Sequence, residues 1–205
     1  MIVFGKMKVE GFASIQNLEF DWSGNRGVVF IQARNGSGKS RLINALYWVL
    51  FGKSLYGSIE TWDHVRPADY KGVKVELDLY IDGVLCHIIR CAGYTGKVNG
   101  YAGKNRFIVY ENNQEWCIKD KRDIQEAWLK VLKYTPALFM NSILFGQKQK
   151  RMLDNKSTEK KELFDEAFDV TILNKAYAIA SAETKEILQK ISSIERDKQG
   201  VVSEL

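Results

Sequence analysis

Eight consecutive residues, Ala33-Arg34-Asn35-Gly36-Ser37-Gly38-Lys39-Ser40, hold the types and spacing that anion chemistry needs. Glycines at 36 and 38 let the backbone curl so that successive N–H groups turn inward and cradle phosphate oxygens. Lys39 brings a point charge to β- and γ-phosphates, and the Ser40 hydroxyl suits Mg²⁺. The run matches the Walker A pattern except at Ala33, where the first glycine usually stands; its methyl requires a negative φ there. An incidental glycine turn fits less well, because a β-branched run precedes the loop and an apolar helical pattern follows it. The expectation is a pocket for a nucleoside triphosphate and Mg²⁺, with Arg34, Asn35, Gly36, Ser37, Gly38, Lys39, Ser40 and Arg41 as its binding residues.

The elements that must position this loop are legible around it. Met7–Phe12 and Leu18–Trp22 alternate apolar with polar, as half-buried strands do. Ser23–Gly27 is turn chemistry. Val28–Gln32 reads as a strand covered on both faces, and Arg41–Phe51 as a buried helix ending at Gly52. Val73–Ile81 and Val84–Arg90 around Asp82-Gly83 predict a hairpin, as do Arg106–Tyr110 and Glu115–Ile118 around Asn112-Asn113. The glycine-rich stretch Gly93–Gly103 between them reads as an exposed loop. Its Tyr94, Lys97 and Tyr101 could touch nucleic acid, although an ordinary mobile loop is the preferred reading. Ile124, Trp128 and Leu132 mark one face of a helix over Lys121–Leu132. Ser157 offers an N-cap ahead of Leu163, Ala167 and Phe168. Ile187, Ile191, Ile194, Val201 and Leu205 fit a short coiled-coil seam, with an amphipathic helix packed on its own domain equally compatible.

Composition bounds the rest. The 205 residues carry 30 Lys+Arg against 25 Asp+Glu, a net charge of +5 that permits a nucleic-acid partner. At 45% hydrophobic and 27% charged the chain buries a real core, which excludes wholesale disorder and a collagen-like fibre. No apolar run approaches the ~20 residues of a membrane span, and Met1–Glu10 lacks a signal-peptide layout, so a cytoplasmic protein is expected. Cys86, Cys91 and Cys117 have no CxxC spacing and read as reduced thiols. No acidic pair accompanies His64 or His87 at ligand spacing, and no nucleophilic triad can be assembled. Trp48 and Trp62 read as packing residues.

Gly11-Phe12, the loop, and Leu42-Ile43-Asn44-Ala45-Leu46 through Leu50-Phe51-Gly52-Lys53 resemble the N-terminal lobe of a structural-maintenance-of-chromosomes-type ATPase. Within that superfamily the chain most resembles the SbcC-type ATPase of double-strand-break repair, phage versions included. Phe139 to Gln147 is similar to the family's Q-loop, which makes Gln147 the γ-phosphate sensor, a Mg²⁺ ligand and, with Lys39, a catalytic residue. On spacing alone Gln147 would read as a surface glutamine beside Lys148 and Gln149.

The resemblance implies an α/β P-loop head: a mixed sheet, a β-rich subdomain, the lobe over 1–168 and an ascending coiled-coil helix over 169–205. Where the family often has a base-contacting arginine, this chain has Ala13, which leaves Arg66 as the weaker candidate. The family's Walker B acids, signature motif and zinc hook lie beyond the coiled coil, in a C-terminal lobe from a separate chain or from residues outside this sequence. Implied partners are that lobe, a second head, double-stranded DNA and an SbcD-type nuclease docked near 172–205. Implied localisation is a bacterial or phage-infected cell, at the nucleoid. Lys148, Lys150, Arg151 and Lys156 read as a solvated face first and as a DNA phosphate contact second. The rival readings are a chromosome-organising ATPase without a nuclease and a P-loop kinase for a small molecule. Efficient hydrolysis is not expected of this chain alone, because it offers no carboxylate to orient water.

Overall fold

The period-two segments fold as strands and the segments with three-to-four spacing as helices. The computed structural model describes residues 1–24, 30–60, 66–118, 120–144, 156–167 and 170–203. They belong to two compact units, Met1–Tyr134 and Thr135–Leu205.

The first unit contains, in chain order, β1 (Ile2–Phe12), β2 (Ile15–Asp21), α1 (Lys39–Phe51), β3 (Val73–Ile81), β4 (Val84–Ala92), β5 (Tyr94–Val98), β6 (Tyr101–Lys104), β7 (Phe107–Glu111), β8 (Gln114–Glu115) and α2 (Lys121–Leu132). Six strands form one sheet in the order β2-β1-β3-β4-β7-β8, with antiparallel ladders throughout the described residues. Register sets Met7, Leu77, Ile88 and Val109 in one row and Val9, Val75, Arg90 and Phe107 in the next. All eight side chains are buried. Here α1 and α2 cover the sheet: the Trp48 ring lies 5.6 Å from Phe12, and Trp128 lies 6.5 Å from Phe107. Burial of each large apolar side chain contributes about 1.5–3 kcal/mol.

The opposite face carries charged and polar rows, including Asp78, His87 and Tyr110. Part of it is covered by the β5–β6 hairpin, whose Tyr94 and Val98 bury Ile89, Cys91 and Ile108. The exposed loop expected over Gly93–Gly103 is therefore a hairpin with its own small core. Its glycines make room for a tyrosine: a Cβ on Gly103 would fall 2.5 Å from Tyr94 Cδ1, and one on Gly96 would fall 2.6 Å from Cε1. Composition records the glycines as flexibility, whereas packing uses them as space.

The strand expected over Val28–Gln32 is also corrected. Phe30, Ile31 and Gln32 form no strand, and Phe30 is 90% exposed; residues 28 and 29 lie outside the described residues. A doubly covered strand needs neighbours on both edges to take up its N–H and C=O groups, and no described strand pairs with this run.

The second unit contains α3 (Pro136–Ser142), α4 (Ser157–Ala167) and α5 (Thr171–Ser203). Thr135 caps α3 by accepting the Leu138 N–H at 3.2 Å, with Pro136 in the first turn where its missing donor costs nothing. Ser157, expected as a cap, is the first residue of α4, and the Glu159 carboxylate accepts the Lys156 N–H at 3.3 Å. Along α5, Leu173, Tyr177, Ile187, Ile191 and Ile194 are all exposed. The side chains of Val201 and Leu205 lie outside the described residues.

Candidate nucleotide-binding site

The loop expected to hold phosphate runs straight into α1. Gly36 and Gly38 have φ of +82° and +96°, values that L side chains rarely adopt. Ala33 stays outside that left-handed region, as its methyl requires. The Ser37 N–H closes a turn on the Arg34 carbonyl at 3.2 Å. Lys39 curls back over the loop, its Nζ donating to the carbonyls of Ala33 at 2.6 Å and Arg34 at 3.0 Å. The ammonium is thus held at the mouth of the loop by the loop itself. At its N-terminus α1 has no side-chain cap, and its first turn has no acidic residue to compete with an anion for the positive end of the helix dipole.

A cavity of about 440 Å³ opens beside the loop. Its walls are the β1–β2 turn and β2 on one side, and Ile31, Ala33, Ser37, Gly38, Lys39 and Leu42 on the other. That volume lies within the ~300–1,000 Å³ usual for a ligand site. The donor set fits a triphosphate: curled backbone, positive dipole end and pre-positioned ammonium. Ser40 is exposed and its hydroxyl has no partner among the described residues, which suits a Mg²⁺ ligand.

Arg41 and Arg66 are not among the residues that line this cavity. Arg41 turns from the loop, its Nη1 donating to the Tyr56 carbonyl at 2.5 Å. Arg66 stacks 4.8 Å above the Tyr70 ring and is not among the cavity-lining residues. Ala13 is enclosed, with φ of 49° and its N–H bonded to the Ile59 carbonyl at 2.8 Å, so position 13 is a buried turn residue. Gln147 lies outside the described residues, as do Lys148, Lys150, Arg151, Trp62 and His64. The segment leading toward Gln147 is α3, where Phe139 is buried.

Two residues that position α1 escaped the sequence reading. Asn44 is fully buried on α1; its amide donates to Ser54 Oγ at 3.1 Å and accepts the Leu55 N–H at 2.7 Å, fastening the segment after the helix. An amide inside the apolar run Leu42–Phe51 was its signal. Arg90 is buried at the other end of α1. Its Nε donates to the Val49 carbonyl at 3.0 Å and its Nη2 to Gln125 Oε1 at 2.5 Å, while the Gln125 amide donates to the Leu50 carbonyl at 3.3 Å. The Phe107 ring lies 3.8 Å from the guanidinium carbon. Burial pulls Arg90 down to about 9, which still leaves it charged at neutral pH. Its signal was position: the alternation along β4 places it in the inward row opposite Val75.

A glycine-built anion loop opening a helix that packs under a sheet defines a P-loop nucleotide-binding lobe. Residues 6–205 match the AAA domain family, and the chain belongs to it. It is 26% identical over 195 residues, 95% of its length, to the DNA double-strand break repair Rad50 ATPase of Methanocaldococcus jannaschii. Identity to the same-named ATPase of Thermoplasma acidophilum is 23%, again over 95% of the chain. The chain covers 18% of the first relative and 21% of the second, about a fifth of their lengths. Its fold is that of the Smc head domain with a coiled coil and joint derived from Pyrococcus yayanosii, with a TM-score of 0.56 at 18% identity over 95% of this chain and 38% of that one. Within its family the chain is an N-terminal head lobe of the SbcC/Rad50 type.

Proposed function

We propose that this lobe binds ATP with Mg²⁺ as one half of a DNA-repair ATPase head, and that two completed heads close on the nucleotide to regulate a partner nuclease at DNA ends. The observation that carries the reading is the Lys39 ammonium held over a glycine-built loop at an uncapped helix N-terminus. Arg34 to Ser40 would hold the triphosphate. Ser40 and Gln147 would ligate Mg²⁺, whose chemistry is to neutralise charge gathering on the phosphate oxygens. Lys39 supplies charge to the outer phosphates, and Gln147 orients water. Arg41 holds the post-helix segment, and Arg66 remains the candidate for the base.

The lobe would span 1–168 and the coiled-coil helix would begin at 169. Hydrolysis would then need a carboxylate from a C-terminal lobe. Two exposed apolar features support a missing partner: Phe30 and Ile31 beside the loop, and the isoleucine row of α5. An SbcD-type nuclease would dock near 172–205, and double-stranded DNA would be the substrate surface. The test is to mix the chain with a C-terminal lobe and follow sedimentation and phosphate release. The reading predicts Mg-ATP-dependent dimers and turnover only with both lobes, both lost in Lys39→Ala. Turnover by this chain alone at the rate of the completed head would refute the division of labour.

A further inference from the structure

Ser54 to Glu60 lies outside every helix and strand of the first unit, yet both its ends are tied down. At the near end, Arg41 in the first turn of α1 donates from Nη1 to the Tyr56 carbonyl at 2.5 Å. Three residues on, the buried Asn44 amide donates to the same carbonyl at 3.3 Å and to Ser54 Oγ at 3.1 Å. Ser54 Oγ in turn donates to the Gly57 carbonyl at 2.9 Å. At the far end, the Ile59 carbonyl accepts the Ala13 N–H at 2.8 Å, and Glu60 bridges to Phe12. These contacts hold the turn between β1 and β2, and that turn needs holding. Ala13 is buried with φ of 49°, a conformation an alanine keeps only where its surroundings over-determine it. Next along the chain, Ser14 Oγ stands 3.3 Å, and Ile15 Cγ1 3.4 Å, from the point where a Cβ on Gly38 would fall. The circuit is then closed, from the phosphate loop through α1, segment 54–60 and the β1–β2 turn back to the loop.

That circuit sets one wall of the cavity beside the loop. A triphosphate seated on Gly36–Lys39 leaves its nucleoside to lie against the facing wall, Ser14 to Leu18 with Phe20. There Leu18 and Phe20 are half-buried apolar surface, and the exposed Gln16 and Asn17 amides have no partner among the described residues. We propose that Arg41 is a positioning residue for the nucleoside end of the ligand. Through the Tyr56 carbonyl it fixes segment 54–60, and with it the strained turn that carries the wall, before any nucleotide arrives. Arg41 does not touch the nucleotide itself: two residues beyond Lys39, its guanidinium turns onto the protein rather than into the loop. The proposal deepens the ATP reading and rests on it.

The experiment is calorimetry of the full chain with Mg-ATP and, separately, with magnesium tripolyphosphate, which keeps the phosphates and has no nucleoside. Wild type is compared with Arg41→Ala, Arg41→Lys and Ser54→Ala, with thermal melts and hydrogen exchange at the Ala13 amide alongside. Loss of one charge-assisted hydrogen bond in Arg41→Ala should weaken Mg-ATP binding about tenfold and leave tripolyphosphate within about twofold of wild type. Arg41→Lys, whose ammonium can reach the same carbonyl, should bring ATP back to within about threefold. Ser54→Ala loosens the same segment without altering any charge, and should weaken ATP alone by about threefold. The Ala13 amide should exchange faster in both weakened variants. Equal losses for the two ligands in Arg41→Ala would make Arg41 a phosphate contact and overturn the proposal, as would an unchanged ATP affinity. If Arg41→Ala does not melt cooperatively, Ser54→Ala decides, and wild-type ATP affinity there would overturn the proposal. Absence of Mg-ATP heat in wild type would instead overturn the ATP reading beneath it.

Discussion

The two ends of α1 are finished in opposite ways. At the C-terminal end Gly52 closes the helix, Arg90, with its guanidinium against the Phe107 ring, takes the Val49 carbonyl, and Gln125 takes the Leu50 carbonyl. At the N-terminal end no side chain caps the helix, no acid sits in the first turn, and a lysine is folded over the preceding loop. A buried cation meets the negative end of the helix dipole, and the proposed anion site lies at the positive end. One end is completed by the chain's own residues and serves stability. The other, on the proposed function, is left to a ligand.

Mutations at the two ends should therefore separate stability from binding. Arg90→Ala is expected to have the largest effect on folding, about 3–4 kcal/mol in a urea melt, because it opens a cavity and strands the carbonyl beneath it. Lys39→Ala is expected to change stability by less than about 0.5 kcal/mol, yet to weaken Mg-ATP binding by about 100-fold or more by calorimetry. Asn44→Ala should cost about 2 kcal/mol, since it frees the 54–57 segment and leaves the Leu55 N–H unpaired; proteolysis should find that segment sooner. Gly52→Ala should cost about 1–2 kcal/mol, because φ is +68° and the added Cβ would fall 2.8 Å from Arg90 Nη1. Trp128→Phe should fall within about 1 kcal/mol of wild type, because it removes a buried indole N–H that has no partner among the described residues along with the area it loses. If Arg90→Ala and Lys39→Ala moved stability and ATP binding together, the contrast between the two ends would collapse.

The open end was more legible in sequence than the closed one. The proposed phosphate loop is a local signal, eight adjacent residues whose types and spacing suit one chemistry. The framework of β1, β3, β4 and α2 followed from period, and β3 and α2 were read to the residue because their apolar positions alternate or recur by four without interruption. What was lost depended on partners distant in sequence. Arg90 acquires its meaning from α1 and α2, which lie 41 and 35 residues away along the hydrogen bonds it makes. Tyr94 seats only because Gly96 and Gly103 fold against it, and its hydroxyl reaches Glu10 on β1 at 2.9 Å. Val28–Gln32 was read as a covered strand because its composition asks for neighbours, but composition does not say whether the same chain supplies them.

The most direct test of the central claim is isothermal titration calorimetry of the chain with ATP, with and without Mg²⁺, using Lys39→Ala as the reference. Saturable Mg-dependent heat in wild type, absent in Lys39→Ala at unchanged melting temperature, is the predicted result. Equal heats in both proteins, or none in wild type, would contradict the assignment of the Lys39 loop as a triphosphate site.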